Sequence, residues 1–316
     1  MKRVGNLFNK ICTIENFQLA YKNATRGKKK YKEVIQIEKY GVNKFLEELL
    51  SEVKNHEYKT SKYHIFKLKT GGKWREIYKL PMRDRIVQHA LMNYMEPIFR
   101  KSFITDTYSS IKGRGIHKCL HRIQRAMRDI ENTKYCLKLD IKKFYPSIDQ
   151  ELMKKCLRRK FKDKELLLML DEIIDSTDRG LPIGNYTSQY FANYFLTEFD
   201  HWVKEQLNIK YYYRYCDDMV ILESSKDNLR DILHKIDNYL INLKLSLKSN
   251  WQIFPIDSRF IDFVGYRINH NCTLVRKNIK YNFIKKCNYD KSIPSYYGIF
   301  CHANCLNLWN KYIKIC

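Results

Sequence analysis

The most constraining feature of this sequence is the segment YYYRYCDDMVIL at residues 211–222. Aromatic and aliphatic residues typical of β-strands flank two adjacent carboxylates, Asp217 and Asp218. On one continuous strand, adjacent side chains point to opposite faces, whereas at the tip of a hairpin both can approach one site. Two neighbouring carboxylates repel each other, so a bound cation best explains the pair. Taken alone, such a pair more often consists of two solvated acidic side chains in a loop.

A third carboxylate strengthens the cation hypothesis. Residues 135–141 (YCLKLDI) predict a short buried strand that ends at Asp140, where an unpaired carboxylate is costly. Such a strand and the hairpin with Asp217 and Asp218 can bring three carboxylates together. Hard oxygen ligands without paired His or Cys favour Mg²⁺ or Mn²⁺ over zinc. Three such ligands indicate two-metal phosphoryl transfer, in which one ion activates a 3′-hydroxyl and the other holds a triphosphate.

The charge balance points to a polyanionic partner. The chain has 59 Lys and Arg against 34 Asp and Glu, a formal net charge of +25. A Lys-rich composition or a solubilising surface charge is the alternative interpretation. No apolar run approaches the ~18 residues that a membrane span needs, and no signal peptide is recognisable. Ten cysteines without such a signal predict reduced thiols and a cytoplasmic protein.

Hydrophobic periodicity divides the chain of 316 residues into helical and strand-like parts. We predict a hairpin with a basic tip at residues 63–80 and a helix over Asp84–Tyr94, with Pro97 closing that segment. A turn at residues 180–184 precedes a long predicted helix, Thr187–Glu205. Cys301, His302 and Cys305 could start a zinc site, but the irregular spacing of the other thiols, Cys272, Cys287 and Cys316, argues against one.

Several segments in chain order resemble the conserved blocks of reverse transcriptases. Tyr215-Cys216-Asp217-Asp218 resembles the YxDD box, and Leu139-Asp140-Ile141 with the residues after it resembles the A motif. Four further segments match in order: Lys73-Trp74-Arg75 (fingers strand), Asp84–Leu91 (the DRxxQ-type segment), Leu247-Lys248-Ser249 (D motif) and Phe263-Val264-Gly265-Tyr266 (primer grip). The resemblance runs from about residue 63 to 268 and implies an α+β right-hand polymerase with fingers, palm and a short helical thumb.

The B-motif segment narrows the resemblance. Most reverse transcriptases carry Gln-Gly where this chain has Ile183-Gly184, followed here by Asn185-Tyr186-Thr187-Ser188-Gln189. An aliphatic residue, then Gly-x-x-x-Ser-Gln, is similar to the reverse transcriptases of diversity-generating retroelements. Such an enzyme makes error-prone cDNA that is mutated at template adenines. The alternatives are a retron, antiphage-defence or intron-type reverse transcriptase, or an inactive polymerase homologue that only binds RNA.

The resemblance implies roles for individual residues. Asp140, Asp217 and Asp218 are the expected ligands of two Mg²⁺ ions, for which Mn²⁺ can substitute, together with the Ile141 carbonyl. The expected dNTP contacts are Arg75, Lys69, Ile183, Gln189, the D-motif Lys248, and Phe144 as the steric gate with Tyr145 as the neighbour to test. Phe263, Val264, Gly265 and Tyr266 form the expected primer grip. Template or RNA contacts are expected from Arg85, Lys28, Lys29 and Lys30.

The resemblance also implies a division into parts and a set of partners. We expect an N-terminal helical basic extension (1–62), fingers (63–135), a palm (136–268) with a helical insertion near 150–178, and a thumb (269–316). The expected partners are a structured template RNA, the RNA/DNA duplex, and a small basic accessory protein that forms a helical-bundle oligomer. No membrane partner is expected.

Overall fold

The computed structural model describes residues 3–70, 72–287 and 289–313. Its α-helices are α1 (Phe8–Ile11), α2 (Ile14–Ala24), α3 (Lys32–Tyr40), α4 (Val42–Lys54), α5 (Met82–Ser102), α6 (Ile116–Ala126), α7 (Phe144–Ser147), α8 (Gln150–Lys160), α9 (Lys164–Ile174), α10 (Tyr186–Phe195), α11 (Thr197–His201), α12 (Lys226–Asn242), α13 (Lys277–Lys286), α14 (Ile293–Phe300) and α15 (Leu306–Tyr312). Its strands are β1 (His64–Thr70), β2 (Lys73–Lys79), β3 (Thr107–Tyr108), β4 (Tyr135–Asp140), β5 (Tyr211–Tyr215), β6 (Asp218–Glu223), β7 (Gln252–Pro255), β8 (Ile261–Phe263), β9 (Tyr266–Ile268) and β10 (Thr273–Val275). This content is of the predicted α+β class.

The chain forms two compact units, each assembled from separated segments. The first contains the residues up to Phe103, then Lys143–Glu198 and Leu243–Leu245. The second contains Ile104–Lys142, Phe199–Asn242 and the residues from Ser246 onward. The four contiguous segments expected from the sequence describe a different level of organisation, and their boundaries stay a prediction.

Helix α5 organises the first unit, where it packs against α2 and α10. The predicted helix over Asp84–Tyr94 is present but extends to Ser102, so the prediction that Pro97 closes the segment was wrong. A proline inside a helix removes one hydrogen bond and costs about 3 kcal/mol. Tertiary packing outweighs this here, since Phe99 is fully buried and meets Phe161 edge-on at 5.7 Å.

The second unit is built on a five-stranded sheet with the order β3-β5-β6-β4-β7. The central strands β4, β5 and β6 pair antiparallel, and helix α12 packs on β4, β6 and β7. A three-stranded sheet, β10-β9-β8, and helices α13 to α15 follow. The aromatic tail packs into the core of the second unit, where the rings of Phe283 and Trp309 stack at 5.6 Å.

Some predicted elements differ from those observed. The predicted helix Thr187–Glu205 is divided into α10, α11 and a π-helical segment, Trp202–Gln206. Strand β10 gives no clear alternation in the sequence, because a three-residue strand is too short for a period of two to be recognised. No helix within the described ranges combines the length and the apolar character that crossing a bilayer would require.

Candidate active site

The candidate site lies in the second unit, where β4 ends beside the turn between β5 and β6. The antiparallel register pairs Asp140, the last residue of β4, with Asp218, the first residue of β6. Directly opposed residues share a face, with Cβ atoms about 5 Å apart. The strand flanks are apolar on both sides, with Leu139 and Met219 buried, so the sheet itself fixes the two carboxylates on one face.

Asp217 occupies the tip of the β5–β6 hairpin. Tyr215 pairs with Asp218, which leaves Cys216 and Asp217 as the two turn residues. Cys216 has φ of +57°, a left-handed conformation that is uncommon for residues other than glycine. The main-chain N–H of Ile141 donates to the Asp217 carbonyl at 3.3 Å, which ties the turn to the end of β4. The hairpin therefore brings all three predicted aspartates to one place.

The three carboxylates perturb one another. Burial raises the pKa of Asp217, and the charge of Asp140 raises it further. Burial raises the pKa of Asp218 to about 6, with further contributions from Asp140 and Asp217. Raised pKa values of this kind mean that the folded chain opposes ionisation of the cluster unless a cation is close.

Two lysines border the carboxylates. The ammonium of Lys248, the predicted D-motif lysine, donates to Oδ2 of Asp140, and its main-chain N–H donates to the Asp140 carbonyl at 2.8 Å. Lys138, two residues before Asp140 on β4, donates to the Asp262 carbonyl at 2.6 Å and lowers the pKa of Asp218. Sequence reasoning missed Lys138, although its period-two spacing from Asp140 puts it on the same strand face.

The donor set fits divalent cations. Among the described residues, Oδ1 of Asp140 is buried and finds no hydrogen-bond partner, which leaves a carboxylate oxygen for a cation. Across the described ranges, no group of three or more His, Cys, Asp and Glu side chains forms a cage that could hold a metal ion by itself. Mg²⁺ commonly takes only one or two carboxylates and completes its shell with water and substrate phosphates, so such a cage is not required.

The other predicted nucleotide contacts belong to the first unit. Arg75 and Lys69 are both exposed on the β1–β2 hairpin. The register pairs Arg75 with Leu68 and Lys69 with Trp74, so the two cations extend from opposite faces. They can hold one triphosphate together only if one side chain reaches around the edge of the hairpin.

The B-motif turn is joined to the same hairpin. Tyr78 donates its main-chain N–H to the Ile183 carbonyl at 2.8 Å. At Gly184, φ is +130° and an added Cβ would lie 2.5 Å from the Tyr78 carbonyl oxygen, so only glycine fits. The Ile183 side chain is half-buried, and Gln189 on α10 is exposed.

The two steric-gate candidates differ in exposure. Phe144 is 3% exposed, whereas Tyr145 is half-buried. Their rings meet edge-on at 5.7 Å, so Phe144 supports Tyr145 from within. Of the two, Tyr145 is the ring that can face a nucleotide.

The predicted primer grip is the turn between β8 and β9. Phe263 and Tyr266 are buried in the core of the second unit, which leaves the backbone of Val264 and Gly265 to meet a ligand. Both turn residues have positive φ, +44° and +90° respectively.

The predicted RNA contacts lie in the first unit and are exposed to different degrees. Lys29 and Lys30 are exposed in the loop between α2 and α3, while Lys28 and Arg85 are half-buried. Burial, and then the charge of Arg85, lowers the pKa of Lys28. Burial lowers the pKa of His89 to about 4, with Lys28 and Arg85 adding to the effect. Arg85 and Lys28 therefore lie close together and form one positively charged patch.

Sequence reasoning also missed Arg214 and Asp200, which form a fully buried ion pair in the second unit. The signal that could have found Arg214 is a cation inside a strand of tyrosines, since a buried guanidinium requires an acidic partner. The sequence does not show which acidic residue is that partner, because Asp200 lies on a separate helix, α11.

Comparison with known proteins places this geometry in a family. The family model described as "Reverse transcriptase (RNA-dependent DNA polymerase)" matches residues 67–268, more than half of the chain. Protein YkfC of Escherichia coli (strain K12) is 27% identical over 150 residues, which cover 44% of this chain and 39% of that protein. The retron Ec73 reverse transcriptase of Escherichia coli is 29% identical over 222 residues, which cover 66% of this chain and 67% of the relative.

A solved structure gives the same result for the fold. The apo telomerase of Candida tropicalis matches with a TM-score of 0.53 at 14% identity, covering 73% of this chain and 50% of that one. At such low identity the likeness concerns the fold alone, and it supports the right-hand polymerase fold expected from the sequence. With the family model matched across fingers-strand, A-motif and YxDD segments, the chain belongs to the reverse transcriptase family.

Proposed function

We propose that this chain is an RNA-directed DNA polymerase that joins dNTPs by two-metal nucleotidyl transfer. The observation that carries the proposal is the cluster of Asp140, Asp217 and Asp218. Asp140 and Asp218 are paired across two strands, and Oδ1 of Asp140 is buried without a partner among the described residues. An inactive RNA-binding homologue has no use for carboxylates that the fold opposes ionising.

The chain's own residues have distinct tasks in this reaction. Asp140, Asp217 and Asp218 hold the cations, with the Ile141 carbonyl as the proposed main-chain ligand. When bound, divalent ions, Mg²⁺ or in its place Mn²⁺, lower the pKa of the primer 3′-hydroxyl and neutralise the triphosphate. Lys248 already forms an ion pair with Asp140 and is the proposed donor of a proton to the leaving pyrophosphate.

The remaining residues have proposed contacts with the nucleotide or the nucleic acid. We assign the triphosphate to Arg75, which Lys69 can assist only by reaching around the edge of the hairpin. We assign the ribose to Tyr145, with Phe144 behind it, instead of to Phe144 as expected from the sequence. Ile183 and Gln189 border the nascent base pair. The main chain of the 263–266 turn supports the primer.

Primer extension tests the proposal. The full chain, an RNA template with a DNA primer, dNTPs and Mg²⁺ should give extended DNA. Asp217→Ala should abolish extension while the variant still binds the template–primer. The proposal fails if the wild type extends no primer with either Mg²⁺ or Mn²⁺, or if Asp217→Ala extends it equally well.

We further propose that the enzyme serves a diversity-generating retroelement and copies template adenines with errors. The support is the segment from Ile183 to Gln189, in which an aliphatic residue takes the place of the usual glutamine. The similarity to the retron Ec73 reverse transcriptase favours a second candidate, a retron enzyme. An antiphage-defence or intron-type enzyme is a third.

Sequencing of the cDNA made on the native RNA separates these candidates. Substitutions concentrated at template adenines support the retroelement, and a short cDNA of uniform sequence supports the retron. The proposed partners are a structured template RNA and a basic, helical-bundle accessory protein, acting in a bacterial cytoplasm. Purification of the tagged chain from its host, followed by RNA sequencing and mass spectrometry, tests for both partners.

A further inference from the structure

The β5–β6 hairpin that carries Asp217 also carries one member of a buried ion pair, Arg214. Arg214 on β5 and Asp200 on α11 have side chains that are 0% exposed. The guanidinium donates to both carboxylate oxygens, from Nε to Oδ1 at 2.7 Å and from Nη2 to Oδ2 at 2.6 Å. Two hydroxyls complete the set around the carboxylate, since Tyr212 donates to Oδ1 at 2.6 Å and Thr107 to Oδ2 at 2.7 Å. Asp200 thus fixes the orientation of the planar guanidinium of Arg214.

The same guanidinium reaches the tip of the hairpin. Nη1 of Arg214 donates to the main-chain carbonyl of Cys216 at 2.9 Å. That carbonyl lies in the rigid peptide plane that joins Cys216 to Asp217. Fixing the carbonyl oxygen therefore fixes the orientation of the bond that leads into Asp217. Cys216 needs such support because its φ of +57° is an uncommon conformation.

Two other main-chain bonds at the tip are longer. The Cys216 N–H donates to the Tyr108 carbonyl at 3.4 Å, and the Ile141 N–H donates to the Asp217 carbonyl at 3.3 Å. Of these three bonds, the one from Arg214 is the shortest and involves a charged donor, which makes it the strongest.

Stability alone does not account for the pair. A buried ion pair can lose as much through desolvation as it gains through attraction, and replacing it with apolar residues of similar volume often leaves a fold equally stable. Burial works against the charge of Arg214, yet contact with Asp200 outweighs it and raises the pKa of the guanidinium. An apolar replacement could fill the space but could not donate to the Cys216 carbonyl.

We propose that Arg214 is a positioning residue for Asp217, and that Asp200 aims the guanidinium of Arg214 at the Cys216 carbonyl. The line of contacts runs from Asp200 through Arg214 and Cys216 to the metal-binding aspartate. This inference rests on the proposed polymerase function, and it assigns the pair a task in cation binding.

Mn²⁺ binding by the full chain, without nucleic acid, gives a readout that does not depend on activity. Electron paramagnetic resonance counts free Mn²⁺ in titrations of the wild type, of Arg214→Lys and of the neutral double variant Arg214→Met/Asp200→Asn. The Kd for Mn²⁺ should rise about 10-fold or more in both variants, as is usual when an outer-shell partner is lost. Lysine keeps the charge but lacks the planar fork that serves two acceptors at once.

Tyr212→Phe is the matched control. It removes a hydrogen bond from the same carboxylate, on the same strand face, without touching Cys216. Its Kd for Mn²⁺ should stay within about 2-fold of the wild type, since the guanidinium keeps two bonds to Asp200. In primer extension, the Arg214 variants should lose kcat while the KM for template–primer stays unchanged.

Several outcomes would overturn the inference. Wild-type Mn²⁺ affinity and kcat in both Arg214 variants would make the pair purely structural. An equal loss in Tyr212→Phe, or an Arg214→Lys chain that does not fold, would show that the pair serves the fold rather than the site. A wild type that binds no Mn²⁺ and extends no primer would instead overturn the proposed function.

Discussion

At the residue scale, the three aspartates are held together against their own repulsion. The sheet register fixes Asp140 opposite Asp218, and burial makes the repulsion stronger than it would be in water. Lys248 offsets part of it through its ion pair with Asp140. Under the proposed role in cation binding, the three carboxylates weaken the cation-free fold, and this cost can be measured as a change in stability.

Asp218→Asn should stabilise the chain when divalent ions are removed by a chelator. Because the pKa of Asp218 is raised to about 6 in the folded state, the folded chain prefers the protonated acid. The stability that this carboxyl contributes at low pH is therefore lost as the pH rises through about 6. The advantage of asparagine should be small at pH 4 and reach about 1–3 kcal/mol above pH 7.

Thermal unfolding from pH 4 to 8 checks this expectation. Addition of Mg²⁺ or Mn²⁺ provides the control, since bound ions should raise the Tm of the wild type more than that of the variant. An Asp218→Asn protein that is less stable than the wild type at pH 7.5 under chelation would contradict it.

The exposure of the two adjacent aromatics leads to a second prediction. Tyr145→Ala should raise incorporation of ribonucleotides about 10-fold or more, because loss of its half-exposed ring leaves room for a 2′-hydroxyl. Phe144→Ala should instead destabilise the fold by about 3–5 kcal/mol, since its buried ring leaves a cavity. Primer extension with single rNTPs and thermal unfolding of both variants distinguish the two roles. Relaxed sugar selection in Phe144→Ala alone would reverse the assignment.

Ile183 is the residue on which the adenine errors are predicted to depend. Ile183→Gln should lower the misincorporation rate at template adenine, because an amide can hydrogen-bond where an alkyl group only fills space. The variant keeps the main-chain bond to Tyr78, so the turn itself should not change. Error rates from deep sequencing of cDNA give the result, with template guanine as the internal control. Unaltered adenine errors would remove Ile183 from the explanation.

At the element scale, the β1–β2 hairpin and the B-motif turn are held together by the main-chain hydrogen bond from Tyr78 to Ile183 and by the close approach of Gly184 to Tyr78. Gly184→Ala should separate them, because its Cβ would lie 2.5 Å from the Tyr78 carbonyl oxygen in a backbone conformation that strains any other residue. We expect a loss of at least about 1–3 kcal/mol in stability and a higher KM for dNTPs, measured by unfolding and by primer extension.

Gly298→Ala is the matched control for that change. An added Cβ at Gly298 meets nothing within 4 Å, and the residue lies inside α14. Alanine there should leave activity unchanged and stabilise the helix by about 0.5–1 kcal/mol. Equal losses in the two variants would show that the loss at Gly184 does not come from its contact with Tyr78 or from its positive φ.

At this scale, some structural features could be predicted from the sequence and others could not. Asp140 could be placed from the sequence, because a lone carboxylate ends an apolar run whose length matches a strand. Phe144 was preferred to Tyr145 as the gate on its spacing from Asp140, but the sequence does not show which ring is buried, since a shift of one residue decides this. Pro97 was misread because local propensity favours a helix end there, whereas packing around α5 overrides it. The partner of Arg214 was unreadable because it depends on a tertiary contact.

At the scale of the whole molecule, the net charge of +25 has a clear distribution in sequence. The loop between α2 and α3 is dense in lysine, and the chain from Tyr266 to the C-terminus has nine Lys or Arg against one acidic residue. Many acids elsewhere are already paired, as in the ion pairs of Asp106 with Arg122 and of Asp171 with Arg158. The unpaired surplus is therefore cationic and is available to phosphates.

Binding of an RNA/DNA template–primer should accordingly depend steeply on salt. Each phosphate neutralised by a lysine or arginine releases a counterion, so 6–10 contacts lower affinity by about 10³ to 10⁵ between about 50 and 200 mM salt. Lys29→Gln/Lys30→Gln should reduce the slope of log K against log [salt] by about 1–2. Lys59→Gln is the control, because Lys59 is also exposed but is paired with Glu172 at 3.0 Å. A shallow slope in the wild type would mean that the surplus charge does not bind the nucleic acid and only keeps the chain in solution. If Lys59→Gln lowers the slope as much as the loop variant does, the cationic loop is not a specific contact for the nucleic acid.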